Sequence, residues 1–169
     1  MCSEQLRDLI CRVLTDSVMY SVEAQELLLM TAAVESNLGH YIRQVKGPAL
    51  GIFQVEPKTE LDIIRNYVDY RKPLKIMLGK RMIHGFADDA LYPLLETDLV
   101  YQILMARIHY LRVPEALPKA SWLYFGEDNK KPHPLWIEDM ANYYKTFWNT
   151  KLGKATPEKA IKAYERYCT

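Results

Sequence analysis

The feature that most constrains the fold is an apolar helix in the first quarter of the chain. Residues 27–34 form the longest apolar stretch of the sequence, and Ser21 ahead of it is a favourable N-cap residue. Asn37 and Gly39 follow the stretch and can end a helix. Because a membrane span needs about 20 apolar residues, the sequence predicts a helix buried in a protein core, with no insertion into a membrane.

Most of the remaining chain is also predicted to be helical, because its apolar residues recur at the spacing of a helix face. Proline and glycine make residues 79–92 and the stretch between Pro114 and Pro134 irregular. The predicted helices cover residues 3–18, the segment from Pro57 to an interruption at Pro73, residues 97–112, residues 136–149, and the segment that begins with Thr156-Pro157-Glu158.

A small β element is predicted after the apolar helix. Residues 41–45 and 51–55 have the pattern of two short extended segments joined by a turn at residues 46–49, which is typical of a hairpin. Gly47 and Gly51 would let the backbone come close to another group or a ligand. The predicted fold class is therefore mainly α, an α+β arrangement, with one domain spanning residues 1–169.

Composition excludes several classes of function. The sequence has 22 Lys and Arg against 21 Asp and Glu, so it lacks the basic excess that binding to nucleic acid requires. The charged residues Glu4, Arg7 and Asp8 interrupt the N-terminus, which predicts synthesis without a signal peptide. The cysteines and histidines are scattered without metal-ligand spacing, so we expect no metal site and no cofactor.

One carboxylate stands out because of its place on the apolar helix. At the angular spacing of a helix, Glu35 lies about 20° from Leu28 and about 40° from Thr31, within the apolar arc. It also lies in the last turn, where the helix dipole disfavours a negative charge. Both effects raise the pKa of a carboxyl and suit it to act as a general acid. The alternative is an ordinary solvated glutamate at a helix end.

Gln54 is the second candidate, and it also has two interpretations. Alternation along a strand would place its amide on the same face as Ile52, with Phe53 on the other face. An amide among apolar residues either bonds to an internal neighbour, which is the commoner case, or binds a substrate.

These segments together resemble a known family. The sequence has Glu35-Ser36 at the end of an apolar helix, then Gly47, Gly51-Ile52-Phe53-Gln54 and Pro57-Lys58-Thr59. This order is similar to the soluble-type lytic transglycosylases and their goose-type lysozyme relatives, over about residues 20–165. The later run 143–156, which includes Trp148-Asn149-Thr150, most resembles bacteriophage versions of the domain.

The sequence departs from the family pattern at three places. Gln44 stands where the family has a serine, one extra residue separates the two glycines, and Trp148-Asn149-Thr150 lacks the glycine of the family's late motif. Tyr144 lies one helical turn before Trp148 and is predicted to supply a hydroxyl on the same face.

The resemblance implies a lysozyme-like domain in which the small hairpin lines a cleft, and a function in cutting peptidoglycan. Glu35 would protonate the β-1,4 glycosidic oxygen between N-acetylmuramic acid and N-acetylglucosamine, and the product would carry a 1,6-anhydro end. The enzyme would be a phage lysin that acts on the bacterial cell wall, either carried with virion or tail proteins or made as an endolysin. The implied substrate-binding residues are Ser36, Phe53, Gln54, Tyr144, Trp148 and Asn149.

Two other functions remain open at the level of sequence. A muramidase would hydrolyse the same bond with a second carboxylate, for which the candidates are Glu56, Glu60, Asp62, Asp88 and Asp89. A catalytically silent virion structural protein or wall-binding module would keep the fold without the reaction.

Overall fold

The computed structural model describes residues 1–85, 93–124, 130–149 and 153–169. This part of the chain is mainly helical, with a small two-stranded antiparallel sheet. The helices are α1 (Ser3–Asp16), α2 (Val22–Ser36), α3 (Pro57–Ile63), α4 (Lys72–Gly85), α5 (Leu94–Thr97), α6 (Leu99–Leu111), α7 (Pro134–Tyr144) and α8 (Pro157–Cys168). Turns of π-helix follow α3 (Ile64–Val68) and α7 (Lys145–Asn149), and the strands are β1 (Trp122–Tyr124) and β2 (Lys130–Pro132).

The predicted apolar helix is α2, and it lies at the centre of the fold. The Ser21 hydroxyl accepts a hydrogen bond from the Ala24 amide at 3.2 Å and caps its start. Asn37, in the left-handed conformation, ends it. Residues 24–33 are all buried, because α1, α6, α7 and α8 pack around the helix. Among the described residues, no helix is long and apolar enough to cross a membrane.

The other predicted helices are confirmed, but the interruption predicted at Pro73 falls at residues 69–71, and Pro73 lies in the first turn of α4. The buried surface of α6 is wider than one helix face, because residues 101–106 are all buried and the helix contacts α1, α2, α3, α4 and α5. The prediction that residues 79–92 are irregular is wrong as far as residue 85, since α4 continues to Gly85. Buried Leu78 anchors that helix to the core, and residues 86–92 lie outside the described residues.

The predicted hairpin at residues 41–45 and 51–55 is wrong. Only isolated bridges form there, between Arg43 and Leu50 and between Leu50 and Val55. Because the Leu50–Val55 pair closes a tight turn, residues 51–54 turn back instead of extending, and both Ile52 and Phe53 are buried. The two-stranded sheet, β1 with β2, lies instead within the proline-rich stretch.

The close approach predicted for the glycines is confirmed at Gly51. Its backbone has a φ of +74°, and a Cβ atom at this position would lie 2.1 Å from the carbonyl oxygen of Leu95. The next amide, of Ile52, donates to the Gln102 side chain at 2.8 Å. A glycine is therefore needed where this turn packs on α5 and α6.

Candidate active site

A cleft of about 760 Å³ opens beside the C-terminal end of α2. This volume lies within the range of about 300–1,000 Å³ that is usual for ligand sites. Its walls come from α2, the turns after it, the start of α3, α6, the end of α7 with the π-helical turn that follows, and residues 153–155. Neither β1 nor β2 contributes a described lining residue. The described lining residues are Val34, Glu35, Gln44, Ala49, Gln54, Val55, Glu56, Lys58, Thr59, His109, Tyr144, Trp148, Asn149, Gly153, Lys154 and Ala155.

Glu35 lies in the last turn of α2 with its carboxyl at the cleft. The Tyr144 hydroxyl donates a hydrogen bond to Glu35 Oε1 at 2.6 Å, and Trp148 lines the same cleft. Burial raises the pKa of Glu35, while the Tyr144 hydroxyl and the nearby Trp148 side chain act in the opposite direction. The net shift is upward, as the position of Glu35 on the apolar face predicts.

Tyrosine–glutamate pairs occur at two other places, which makes the position of the Glu35 pair informative. Tyr101 donates to Glu60 at 2.6 Å, and Tyr164 donates to Glu26 at 2.5 Å. Neither of these glutamates is among the described cleft residues. Among these three pairs, only the Glu35–Tyr144 pair combines a half-buried carboxyl with a position at the cleft.

The π-helical turn Lys145–Asn149 forms the wall opposite α2. Turns of this kind are rare in proteins, and those that do occur often lie at functional sites. Here the turn places Trp148 and Asn149 at the cleft beside Tyr144. Lys145 Nζ donates to Asn149 Oδ1 at 2.9 Å and to the carbonyl oxygen of Gly153 at 2.9 Å, and this links the turn to the segment that follows it.

Aromatic rings hold Trp148 in place. The ring centroid of His109 lies 4.5 Å from that of Trp148, and the centroid of Tyr110 lies 5.1 Å away. Burial and the nearby charge of Arg112 lower the pKa of His109 to about 4, so the imidazole is neutral above that pH. His109 was not predicted from the sequence as a cleft residue. The signal for it is a polar residue between the apolar residues Ile108 and Tyr110 of α6.

The predicted site residues do not all lie at the cleft. Ser36 is 1% exposed, and its hydroxyl donates to the carbonyl oxygen of Ile52 at 2.6 Å and accepts from the Gly39 amide. Phe53 is also 1% exposed and packs at 6.5 Å from the Trp148 ring. Both residues lie behind the lining and hold the turns against α2.

Gln54 does line the cleft, but its amide has an internal partner. Gln54 Nε2 donates to the carbonyl oxygen of Gly51 at 2.7 Å, the commoner of the two alternatives that the sequence left open. The predicted strand alternation fails because Gln54 has a φ of +48°.

Left-handed backbone conformations recur in the segment between α2 and α3. Asn37 and Leu38, which follow Glu35-Ser36 directly, have φ values of 51° and 54°. Conformations of this kind cost about 1–3 kcal/mol each in residues other than glycine, and they concentrate at functional sites. The segment between α2 and α3 is therefore held in a shape that local preference alone would not select.

The candidate second carboxylates differ in whether they line the cleft. Glu56 lines the cleft and forms an ion pair with Lys58 at 2.8 Å. Glu60 bonds to Tyr101 and Asp62 pairs with Arg112 at 2.6 Å, and neither is among the described lining residues. Asp88 and Asp89 lie outside the described residues.

Comparisons with models of protein families, with curated proteins and with solved structures gave no match.

Proposed function

We propose that the protein is a lytic transglycosylase with a lysozyme-like domain, which cleaves the β-1,4 bond between N-acetylmuramic acid and N-acetylglucosamine of peptidoglycan. Glu35 is the general acid and base. The observation that carries this proposal is the half-buried Glu35 carboxyl at the cleft, with a raised pKa and a hydroxyl donor fixed at 2.6 Å. The order of motifs around Glu35 and Gln54 supports the choice of substrate.

Bond cleavage needs a protonated carboxyl beside the leaving oxygen. Burial supplies this by raising the pKa of Glu35. Because Oε1 accepts the Tyr144 hydrogen bond, the other carboxyl oxygen is available to hold the proton and deliver it to the glycosidic oxygen. The acetamido group of the muramic sugar supports the positive charge that develops at C1 as the C–O bond breaks.

The second step returns the proton to Glu35. The ionised carboxylate takes the proton of the muramic C6 hydroxyl while that oxygen forms a bond to C1, which closes the 1,6-anhydro ring. Tyr144 stabilises the carboxylate between the two steps, because its hydroxyl donates a hydrogen bond to it. One carboxylate is therefore sufficient, and no water is consumed.

Product analysis tests this proposal. Purified peptidoglycan is digested with the protein, and the released muropeptides are analysed by mass spectrometry. We expect 1,6-anhydromuramic ends, which are lighter by one water than the reducing ends left by hydrolysis. Hydrated ends alone would replace the transglycosylase with a muramidase, and absence of any released muropeptide would remove the enzymatic proposal in favour of a virion structural or wall-binding protein.

A muramidase is the second candidate, and one observation favours it. Glu56 lines the same cleft as Glu35 and could activate a water molecule as the second carboxylate. Its ion pair with Lys58 would have to leave one carboxylate oxygen free for that water. The mass difference at the muropeptide ends separates this candidate from the first.

The rate of peptidoglycan cleavage should depend on pH through Glu35. Burial raises the pKa of Glu35 above its usual value, and the acid must be protonated to act, so activity is lost as the pH rises through this raised pKa. In Y144F activity should be lost at a higher pH than in the wild type, because the variant removes a hydrogen bond that lowers the Glu35 pKa. The measurement is the initial rate of wall clearing against pH. Loss of activity at the pH where a solvent-exposed glutamate ionises would contradict a buried acid.

A further inference from the structure

A second concave surface, the α1–α4–α6 groove, lies between the three helices of that name. Its volume is about 610 Å³, and none of its described lining residues lies at the cleft. The lining is mainly apolar, and Leu9 of α1, Met77 of α4 and Val100 of α6 are only half-buried there. Ile76, which also lines the groove, is 52% exposed. The fold therefore leaves apolar surface uncovered at this place.

The rim of the α1–α4–α6 groove is positively charged. Arg12 of α1 and Lys80 of α4 are exposed, and neither forms an ion pair with another described residue. Arg81 also lies at the rim and pairs with Asp98 at 3.2 Å. Asp16 is the single acid among the described lining residues. A complementary occupant would therefore combine apolar side chains with negative charge.

The outer face of α7 has this complementary chemistry. Its residues recur at positions i, i+3, i+4 and i+7, so they lie on one side of the helix. They are the exposed residues Leu135, Glu138, Asp139 and Asn142. Leu135 is 64% exposed, and neither acid forms an ion pair with another described residue. An apolar side chain and two unpaired acids thus point away from the core together.

We propose that the outer face of α7 in one copy of the chain binds in the α1–α4–α6 groove of a second copy. Leu135 lies on the apolar floor, and the two acids of the face lie beside Arg12 and Lys80. Placing one face of a helix in an apolar groove is a common mode of recognition between proteins. Because both surfaces are exposed in the structure, a chain does not fill its own groove. The proposal does not depend on the reaction proposed above.

The symmetry of this contact follows from the two surfaces being different. A head-to-tail contact leaves a free groove at one end of the pair and a free α7 face at the other, so further copies can add. The surfaces are small, and interfaces below about 1,200 Å² are typical of weak, transient contacts. We therefore expect association that grows with protein concentration and weakens when salt screens the charges.

Sedimentation velocity of the whole chain tests the proposal. Between about 10 μM and about 1 mM, concentrations that cover weak association, the mean sedimentation coefficient should rise with concentration, and less steeply at high salt. A wild type that stays monomeric throughout would overturn the proposal and leave the groove to a partner other than this chain.

Charge reversal on the groove gives the first pair of variants. R12E/K80E should weaken association about tenfold or more, because the α7 face is then repelled. K162E/R166E is the matched control, since it changes the net charge by the same amount on α8, which lines neither surface. The control should associate like the wild type. Equal losses in the two variants would mean that net charge alone matters, and this would overturn the proposal.

Reversal on α7 tests whether the two surfaces meet each other. E138K/D139K should weaken association as much as R12E/K80E does, and an equal mixture of the two variants should associate again, because each surface then finds its complement in the other protein. If one groove met another groove instead, E138K/D139K would associate like the wild type. That result, or a mixture that stays monomeric, would overturn the proposal.

The apolar part of the contact is tested at Leu135. L135D should weaken association about tenfold or more, since burying a leucine side chain supplies at least that factor. V45D is the control, because Val45 is 76% exposed and lies outside both surfaces. Circular dichroism checks that every variant remains folded, as expected for substitutions of exposed side chains. A wild-type level of association in L135D, or an equal loss in V45D, would overturn the proposal.

Discussion

Replacing Glu35 with glutamine is expected to reduce the release of muropeptides from purified peptidoglycan by about 10²–10⁴-fold, the usual contribution of a general acid. Glutamine is close to glutamic acid in shape and can still accept the Tyr144 hydrogen bond through its amide oxygen, but it has no proton to give to the glycosidic oxygen. The loss should appear in kcat, with binding to the wall preserved. Wall clearing followed by turbidity gives the rate, and co-sedimentation with peptidoglycan gives the binding.

Glu60 provides a matched control within the same chain. Burial raises its pKa, and the Tyr101 hydroxyl bonds to it at 2.6 Å, as Tyr144 does to Glu35. Because Glu60 is not among the described cleft residues, E60Q should clear walls at close to the wild-type rate. Equal clearing by E35Q and the wild type would contradict catalysis by Glu35. An equal loss in E35Q and E60Q would indicate that a buried carboxyl is needed for folding instead.

The sequence was sufficient to predict the buried helix α2 and the position of Glu35 on its apolar face. The apolar stretch 27–34, with an N-cap residue ahead of it at Ser21 and a stop at Asn37, predicts a buried helix, and helical periodicity then places Glu35 on the apolar face. The same local signals predicted the start of α8, where Thr156 accepts from the Lys159 amide at 3.3 Å. Signals of this kind depend on neighbours within about one turn of helix, so they need no knowledge of tertiary contacts.

The segment between α2 and α3 could not be predicted in this way. Its shape depends on residues far away in the sequence, since the Gln102 side chain accepts from the Ile52 amide at 2.8 Å and Arg43 pairs with Glu96. These contacts favour a compact series of turns over the hairpin that the local pattern suggests. The hydrogen bond between Tyr144 and Glu35 joins residues that are 109 positions apart, and only the placement of Tyr144 on a late helix face hinted at it.

The fold that holds Glu35 in place depends on a second buried glutamate in α2. Glu26 is 3% exposed, and its two oxygens accept from Arg7 of α1 at 2.8 and 3.3 Å. Tyr164 of α8 donates to the same carboxylate at 2.5 Å, and Arg7 also donates to the carbonyl oxygen of Cys168. One side chain thus joins three helices, and burial together with the Glu26 charge raises the pKa of Tyr164.

Replacing Glu26 with alanine is therefore expected to lower the free energy of unfolding by about 3–5 kcal/mol, the usual cost of leaving one partner of a buried ion pair without the other. E26Q should cost less, because an amide oxygen still accepts from Arg7 or Tyr164. The measurement is urea denaturation followed by circular dichroism. D69A is the matched control, since Asp69 pairs with Lys75 at 2.8 Å with both side chains exposed, and such surface pairs contribute about 0–1 kcal/mol. Equal effects of E26A and D69A would contradict a structural role for the Glu26 cluster.

Because Glu26 does not line the cleft, E26A should keep most of its wall-cleaving rate at temperatures where it remains folded, and this separates loss of stability from the loss of chemistry expected in E35Q.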